Sequence, residues 1–176
     1  LDRSEIWFVR PGPKPSYTKM TDGAAKEIWP MWHPDGKSFF FVSDRTGVEN
    51  IWRQPVGGTS RQLTQFKEGR LLWPSISHDG KTIYFLSGRG GTGSTQVWKT
   101  DTDGRIAQQV TRLPLDVGAF RITPDGKGLV VALAVFPDAK GDEIAGTVKK
   151  LAEKRTGSGT VYDKVFVRHW DTWADG

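Results

Sequence analysis

The stretch HPDGKSFFFVSDRTGVENIW, residues 33–52, decides the fold because the chain repeats it. A near-copy, HDGKTIYFLSGRGGTGSTQVW, covers residues 78–98, and a partial copy, TPDGKGLVVALAVF, covers residues 123–136. Each copy opens with an Asp-Gly pair, which favours a tight hairpin because glycine tolerates the positive φ that such turns need. The chain is therefore predicted to be a series of similar hairpins.

Three sequence markers keep the same period. The Asp-Gly turns recur after 44 and 46 residues, starting at Asp35, Asp79 and Asp125. Pairs of an apolar residue and Trp recur after 45 and 46 residues, ending at Trp7, Trp52 and Trp98. Pairs of an apolar residue and Thr recur after 43 and 47 residues, ending at Thr21, Thr64 and Thr111. A period of 40 to 50 residues that holds several strands is typical of propeller blades.

The predicted fold is all-β, an arc of β-propeller with about three four-stranded blades, extra strands and one short helical insertion. The predicted units are a blade remainder over 1–22, full blades over 28–66 and 71–112, and a third blade over 117–170. SFFFVS (38–43) is too continuously apolar for a surface strand, so burial on both faces is expected. The third blade carries an insertion over 137–160, where Ile144, Val148 and Leu151 have helical spacing.

Such an arc is not expected to close a ring alone, since propellers need four or more blades. It would leave exposed blade faces, which invite partners. The chain begins at Leu1 without an initiator Met, and we expect either part of a larger protein or a homo-oligomer whose copies together complete the ring.

Composition limits the other function classes. The chain has no Cys, which excludes disulfides, thiolate metal sites and cysteine nucleophiles. The net charge of +5 comes from bases scattered among 20 acids, so neither a nucleic-acid partner nor a membrane partner is predicted.

The histidines are the first candidates for chemistry. His169 and Asp171 share a strand face, but no nucleophile or third ligand accompanies them, and we expect a polar pair at a strand end. His33 and His78 are interpreted as equivalent positions before two turns, where they cap hairpins. No catalytic, cofactor-binding or metal site is predicted, and no cofactor.

Other recurring residues are interpreted as structural. SGRGGTGST (87–95) links two predicted strands, so a hairpin loop is expected and not a phosphate cradle. The acid-rich segment at 137–143 lacks calcium-loop spacing. Arg45 and Arg89 are expected to bind a neighbouring blade through an ion pair or hydrogen bond. The tryptophans are expected to pack in the core, with Trp29, Trp32 and Trp73 in or near the first strands that line a channel.

The segment WHPDGKSFFFVSDRTGVENIWRQPVGG…RQLT resembles the blade repeat of TolB and tricorn-type propellers, over roughly residues 1–85. From about Gln96, QVWKTDTDG…QQVTRLPLDVGAFRITPDGKGLVVALAVFPD and the later VYDKVFVRHWDTWADG resemble the propeller of bacterial prolyl oligopeptidase-family peptidases, of the dipeptidyl/acylaminoacyl branch. In that family a seven- or eight-bladed propeller precedes an α/β-hydrolase domain.

The resemblance implies a non-catalytic propeller that restricts substrate access to a separate catalytic domain and contacts peptides, in a periplasmic or secreted protein. The chain lacks the Gly-x-Ser-x-Gly nucleophile elbow, so no catalytic residue is carried over. Two alternatives stay open. One is a TolB-like scaffold that binds another protein. The other is a chain assembled from blade segments, because its halves resemble different propellers, which completes its ring by self-association.

Overall fold

Antiparallel sheets follow one another along the chain in the computed structural model, which describes residues 3–91, 93–105, 107–136, 139–140 and 143–154. The first sheet has two strands, β1 (Trp7–Arg10) and β2 (Ser16–Lys19). The second has four strands in chain order: β3 (Glu27–Trp32), β4 (Ser38–Ser43), β5 (Asn50–Pro55) and β6 (Arg61–Gln62).

The second half of the chain repeats this pattern. The third sheet holds β7 (Leu72–Ile76), β8 (Thr82–Ser87), β9 (Gln96–Asp101) and β10 (Ala107–Gln109), again in chain order. A two-stranded sheet of β11 (Val117–Ile122) and β12 (Leu129–Leu133) follows, and helix α1 (Ile144–Lys154) comes last. The predicted all-β fold of four-stranded blades with one short helix is confirmed.

The sheets pack face to face through three hydrophobic clusters. β4 is buried along its whole length, as its apolar sequence predicted. Its successive side chains alternate between two clusters: Phe39 and Phe41 lie in one with Ile6 of the first sheet, and Phe40 lies in the other with Ile83 of the third sheet. Alternation along a strand sends neighbouring residues to opposite faces, which explains how one strand serves both interfaces.

The first strands of the two four-stranded sheets, β3 and β7, are edge strands that contact each other. The sheets therefore meet along their first strands, as blades do around a propeller axis. Because neighbouring strands are antiparallel and follow chain order, successive connections alternate between the two ends of a sheet. The Asp-Gly turns thus lie at one end, and the loops that carry Arg45 and Arg89 lie at the other.

Some predictions fall outside the described residues. These are the part of the third blade after residue 160 and most of the acid-rich segment at 137–143. None of the described helices is long and apolar enough to cross a membrane.

Candidate functional site

The Asp-Gly turns share one hydrogen-bond pattern, and it corrects the prediction that His33 and His78 are equivalent. The backbone oxygen of His33 accepts from the N–H of Gly36, that of Ser77 from Gly80, and that of Thr123 from Gly126. His33 therefore corresponds to Ser77, one residue before His78. Two residues separate the strand end from Asp35 and from Asp79, with His33 in the first of these positions and His78 in the second, so aligning the histidines shifts the register by one residue.

In all three turns the Asp carboxylate accepts from the backbone N–H two residues later, as in Asx turns. The hydroxyls of Ser77 and Thr123 also donate to their Asp at 2.6 Å, while His33 Nδ1 lies 2.8 Å from Asp35. These bonds hold the pKa of each Asp below its usual value; the leading cause is the Lys37 N–H for Asp35 and the hydroxyl for the other two. The side chains of these three turns are thus engaged in hydrogen bonds that hold the turns themselves.

At the other end, Arg45 and Arg89 occupy matching places after β4 and β8. Each backbone N–H and each Nε–H donates to the hydroxyl of the serine two residues earlier, Ser43 or Ser87. The two arginine side chains are thus anchored to their sheets by the same pair of hydrogen bonds. What surrounds them differs.

Arg45 is paired. Its Nη2 forms a very short ion pair with Glu27, which is 2% exposed, and lies 3.5 Å from Asp22 in the segment that joins the first two sheets. Its guanidinium also lies over the Trp52 ring, 4.7 Å from the centroid. The predicted ion pair with a neighbouring blade is thus formed only with Asp22, the last residue of the predicted blade remainder, whereas the shorter pair with Glu27 lies within the same sheet as Arg45.

Arg89 has no such partner, and the same prediction is wrong for it. It is 7% exposed, and both Nη atoms are buried without an acceptor among the described residues. The guanidinium stacks on Phe66, 3.5 Å from the ring centroid. Burial lowers the pKa of Arg89 to about 10, partly offset by the charges of Glu68 and Glu49, so the side chain stays charged at neutral pH.

Two tryptophans near this end have a strained backbone. Trp29 in β3 and Trp73 in β7 have φ of 56° and 49°, in the left-handed region that bulky residues rarely adopt. Both sit where the pairing register of the first strand shifts, and each precedes a proline that cannot donate to the ladder. Their rings lie 4.5 Å apart across the two sheets.

Trp73 is 55% exposed, so the prediction of core packing fails for it, while Trp29 is partly buried. The failure has a physical cause: the bulge rotates the side chain out of the alternation that the strand pattern implies. The repeated Trp-Pro pair, 44 residues apart, is the sequence signal that could have identified this site.

The outer face of the first sheet is a second exposed surface. Trp7, Val9 and Tyr17 share that face and are 50%, 45% and 62% exposed. Trp7 was expected to pack between blades like its repeat partners. Trp52 does share a cluster with Ile6 and Met20 of the preceding sheet, but Trp7 has no described sheet on that side.

The remaining candidates from the sequence are His169, Asp171, a metal site and the glycine-rich loop. His169 and Asp171 lie outside the described residues. In the part of the chain that the structure describes, no group of three or more His, Asp or Glu side chains is placed to hold a metal ion. The glycine-rich loop joins β8 to β9, as expected for a hairpin connection.

Comparison with known proteins is consistent with this architecture. Residues 2–132 match the family described as the TolB beta propeller domain. A putative TolB from Agrobacterium tumefaciens is 24% identical, with a TM-score of 0.55 over 69% of this chain and 47% of that one. TolB from Acinetobacter baumannii is 27% identical, with a TM-score of 0.53 over 70% of this chain and 33% of that one.

A structure of a nidogen/laminin complex, at 13% identity, shares the fold alone, with a TM-score of 0.58 over 80% of this chain and 61% of that one. No curated protein matches the chain. The chain spans less than half the length of either TolB structure.

Proposed function

Since the chain belongs to the TolB beta propeller domain family, we propose that it is a non-catalytic protein-binding segment of a propeller, and that its partner binds at Trp29 and Trp73. The observation that carries this proposal is the pair of left-handed tryptophans on neighbouring first strands. A bulky residue in this conformation costs roughly 1–3 kcal/mol, and such strain is found mainly at functional sites.

The chemistry of this site suits a polypeptide. Exposed aromatic rings supply large contact areas and are enriched in the centres of protein interfaces. Bulges also leave backbone polar groups out of the ladder, where a bound peptide can pair with them. Trp73 offers both features on one residue.

The test uses Trp73→Asn, because asparagine tolerates the left-handed backbone while a small carboxamide replaces the indole. Peptides are selected on the wild-type chain from a random library displayed on phage, and fluorescence anisotropy of the labelled, synthesised peptides gives Kd. We expect the substitution to weaken binding by about tenfold or more, the loss typical of a central interface tryptophan.

Val130→Asn is the matched control, since Val130 is 66% exposed on β12, away from the tryptophan pair. It should leave the Kd unchanged. Selected peptides that bind Trp73→Asn as tightly as wild type would show that the pair is not the binding site.

Gating of a peptidase domain is the finer role that the resemblance at residues 96–176 implies. It stays a proposal, and hydrolysis of dipeptidyl substrates by the purified chain would contradict its non-catalytic part. Periplasmic or secreted localisation is likewise proposed from the resemblance.

The exposed face of Trp7, Val9 and Tyr17 supports a proposal on partners, that a second copy of the chain covers it. Trp98 packs on the cluster that contains Leu63 of the preceding sheet. Val110, the repeat equivalent of Leu63, is 38% exposed after β10. One copy thus carries both halves of a blade-to-blade contact, which permits a head-to-tail assembly.

This association predicts a concentration-dependent mass. Light scattering at two concentrations should show a closed multiple of the 19.6 kDa chain. Placing lysines at Trp7 and Tyr17 should shift the chain to monomer, because charges at both positions cannot be buried without partners. The control is Val56→Lys/Val130→Lys, because both valines are exposed outside this face. An unchanged mass for Trp7→Lys/Tyr17→Lys would rule out this face.

A further inference from the structure

Arg45 and Arg89 make the same hydrogen bonds to the preceding serines. Among the described residues, only Arg45 has carboxylates within ion-pair distance. The repeat provides a direct comparison of the two places: Thr21 and Thr64 accept the same backbone bond, from Ile6 and Ile51. Asp22 is matched by Gln65 when counted from these threonines, and Glu27 is matched by Leu71 when counted from the serines before each arginine. Both carboxylates that contact Arg45 therefore have uncharged counterparts at the Arg89 site.

The acids that remain near Arg89 are not bound to it. Glu49 is engaged elsewhere: its carboxylate lies 2.8 Å from Lys26 Nζ and accepts from the backbone N–H of Leu71 at 2.8 Å. Glu68 is exposed and forms no ion pair with Arg89 in the described part of the chain. The buried guanidinium therefore keeps four Nη–H donors unsatisfied, which is costly unless a partner supplies acceptors.

A cavity suited to such a partner adjoins a residue that contacts Arg89. Phe66, which stacks on the Arg89 guanidinium, also lines a cavity of about 350 Å³ together with Thr46, Val48, Gln62, Gln65 and Lys67. This lining contains one cation, three polar side chains and no acid. Phe66 is only partly buried, on the connection between β6 and β7, and its side chain contacts both the Arg89 guanidinium and the cavity.

We propose that Arg89 binds a carboxylate group supplied from outside the chain, which enters through this cavity with Lys67 beside it. The ion pair between Arg45 and Glu27 shows that an arginine anchored in this way can bind a carboxylate. Planar carboxylates match the donor fork of arginine, and such charge-assisted bonds are among the strongest hydrogen bonds in proteins. The source of the group is a small carboxylic acid or an acidic side chain of a bound polypeptide. The proposal does not depend on partner binding at the tryptophan pair.

The test observes the Arg89 guanidinium itself. The ¹⁵N–¹H correlation of its Nε–H is followed by NMR while sodium acetate is added, with sodium chloride at the same ionic strength as reference. We expect a saturable shift of the Arg89 signal with acetate alone. The Arg45 signal should stay in place, because its guanidinium already holds Glu27.

A pair of variants at Gln65 tests the missing carboxylate. Gln65 is exposed and matches Asp22, which lies 3.5 Å from Arg45. Gln65→Asp should weaken acetate binding by about fivefold or more, because it supplies an internal competitor. Gln65→Asn, which is uncharged and the size of Asp, is the comparison variant and should bind acetate about fivefold or more tightly than Gln65→Asp. Both exposed substitutions should leave the circular dichroism spectrum unchanged.

Two capped tripeptides separate the sources of the carboxylate, N-acetyl-Ala-Asp-Ala-amide and its Asn counterpart. A shift with acetate but with neither peptide supports a small-acid ligand, and a shift with the Asp peptide but not the Asn peptide supports an acidic side chain. Failure of both acetate and the Asp peptide to move the Arg89 signal overturns the proposal. An equal response to chloride, or an equal movement of Arg45, overturns it as well.

Discussion

Gly104→Ala is expected to lower the free energy of unfolding by about 3–5 kcal/mol, because it combines left-handed strain with an overlap between sheets. Gly104 has φ of +76° in the turn between β9 and β10. A methyl group there would lie 2.7 Å from the carbonyl carbon of Leu63 and closer still to its oxygen. Leu63 is buried in the preceding sheet, so backbone, and not a flexible side chain, would have to move.

Gly126→Ala is the matched control for this prediction. Gly126 has φ of +71° in an equivalent kind of turn, and an added methyl group would contact nothing within 4 Å. It should cost only the conformational strain, about 1–2 kcal/mol. Urea denaturation followed by circular dichroism measures both values. Equal losses for the two variants would mean that the close approach of the sheets at Leu63 does not limit this position.

Glu27→Leu is expected to cost about 3 kcal/mol, since it leaves the largely buried Arg45 without its main counter-charge. The substitution copies the arrangement of the third sheet, where Leu71 stands at this place. The backbone bonds between Glu27 and Ser4, at 2.7 and 2.8 Å, do not involve the carboxylate and should survive. The loss should therefore report on the charge pair.

The double variant Glu27→Leu/Arg45→Met tests that reason. If the unpaired charge causes the loss, removing the guanidinium as well should recover at least half of it, because apolar replacements of a buried pair are often tolerated. Arg45→Met alone completes the double-mutant cycle. Additive losses in the cycle would show that Arg45 and Glu27 stabilise the sheet independently.

The two arginine environments also connect stability with binding. In the second sheet the charge of Arg45 is paired with carboxylates of the same chain, Glu27 and Asp22. In the third sheet Leu71 adds to the apolar cluster between the sheets, while the charged Arg89 has no acceptor for its Nη atoms among the described residues. A ligand that pairs with such a buried charge would stabilise the folded protein when it binds.

Sequence periodicity was enough to predict the four-stranded sheets that the structure describes. Residues 39–42 are apolar without interruption, which predicts a strand that is buried on both faces, so its place between two sheets followed from the sequence. The Asp-Gly turns at Asp35, Asp79 and Asp125 were equally predictable, because the positive φ of the following glycine is a local property.

The sequence by itself therefore determined the blade repeat of this protein, since hydrophobic alternation and turn chemistry act between residues close in the chain. Only the tertiary structure decided the site. Whether an arginine is paired depends on residues more than fifteen positions away, such as Glu27 for Arg45 and Phe66 for Arg89. The exposure of Trp73 likewise depends on a bulge whose form is set by pairing with the neighbouring strand. Burial and charge balance are properties of the packed sheets, and they arise only when distant segments meet.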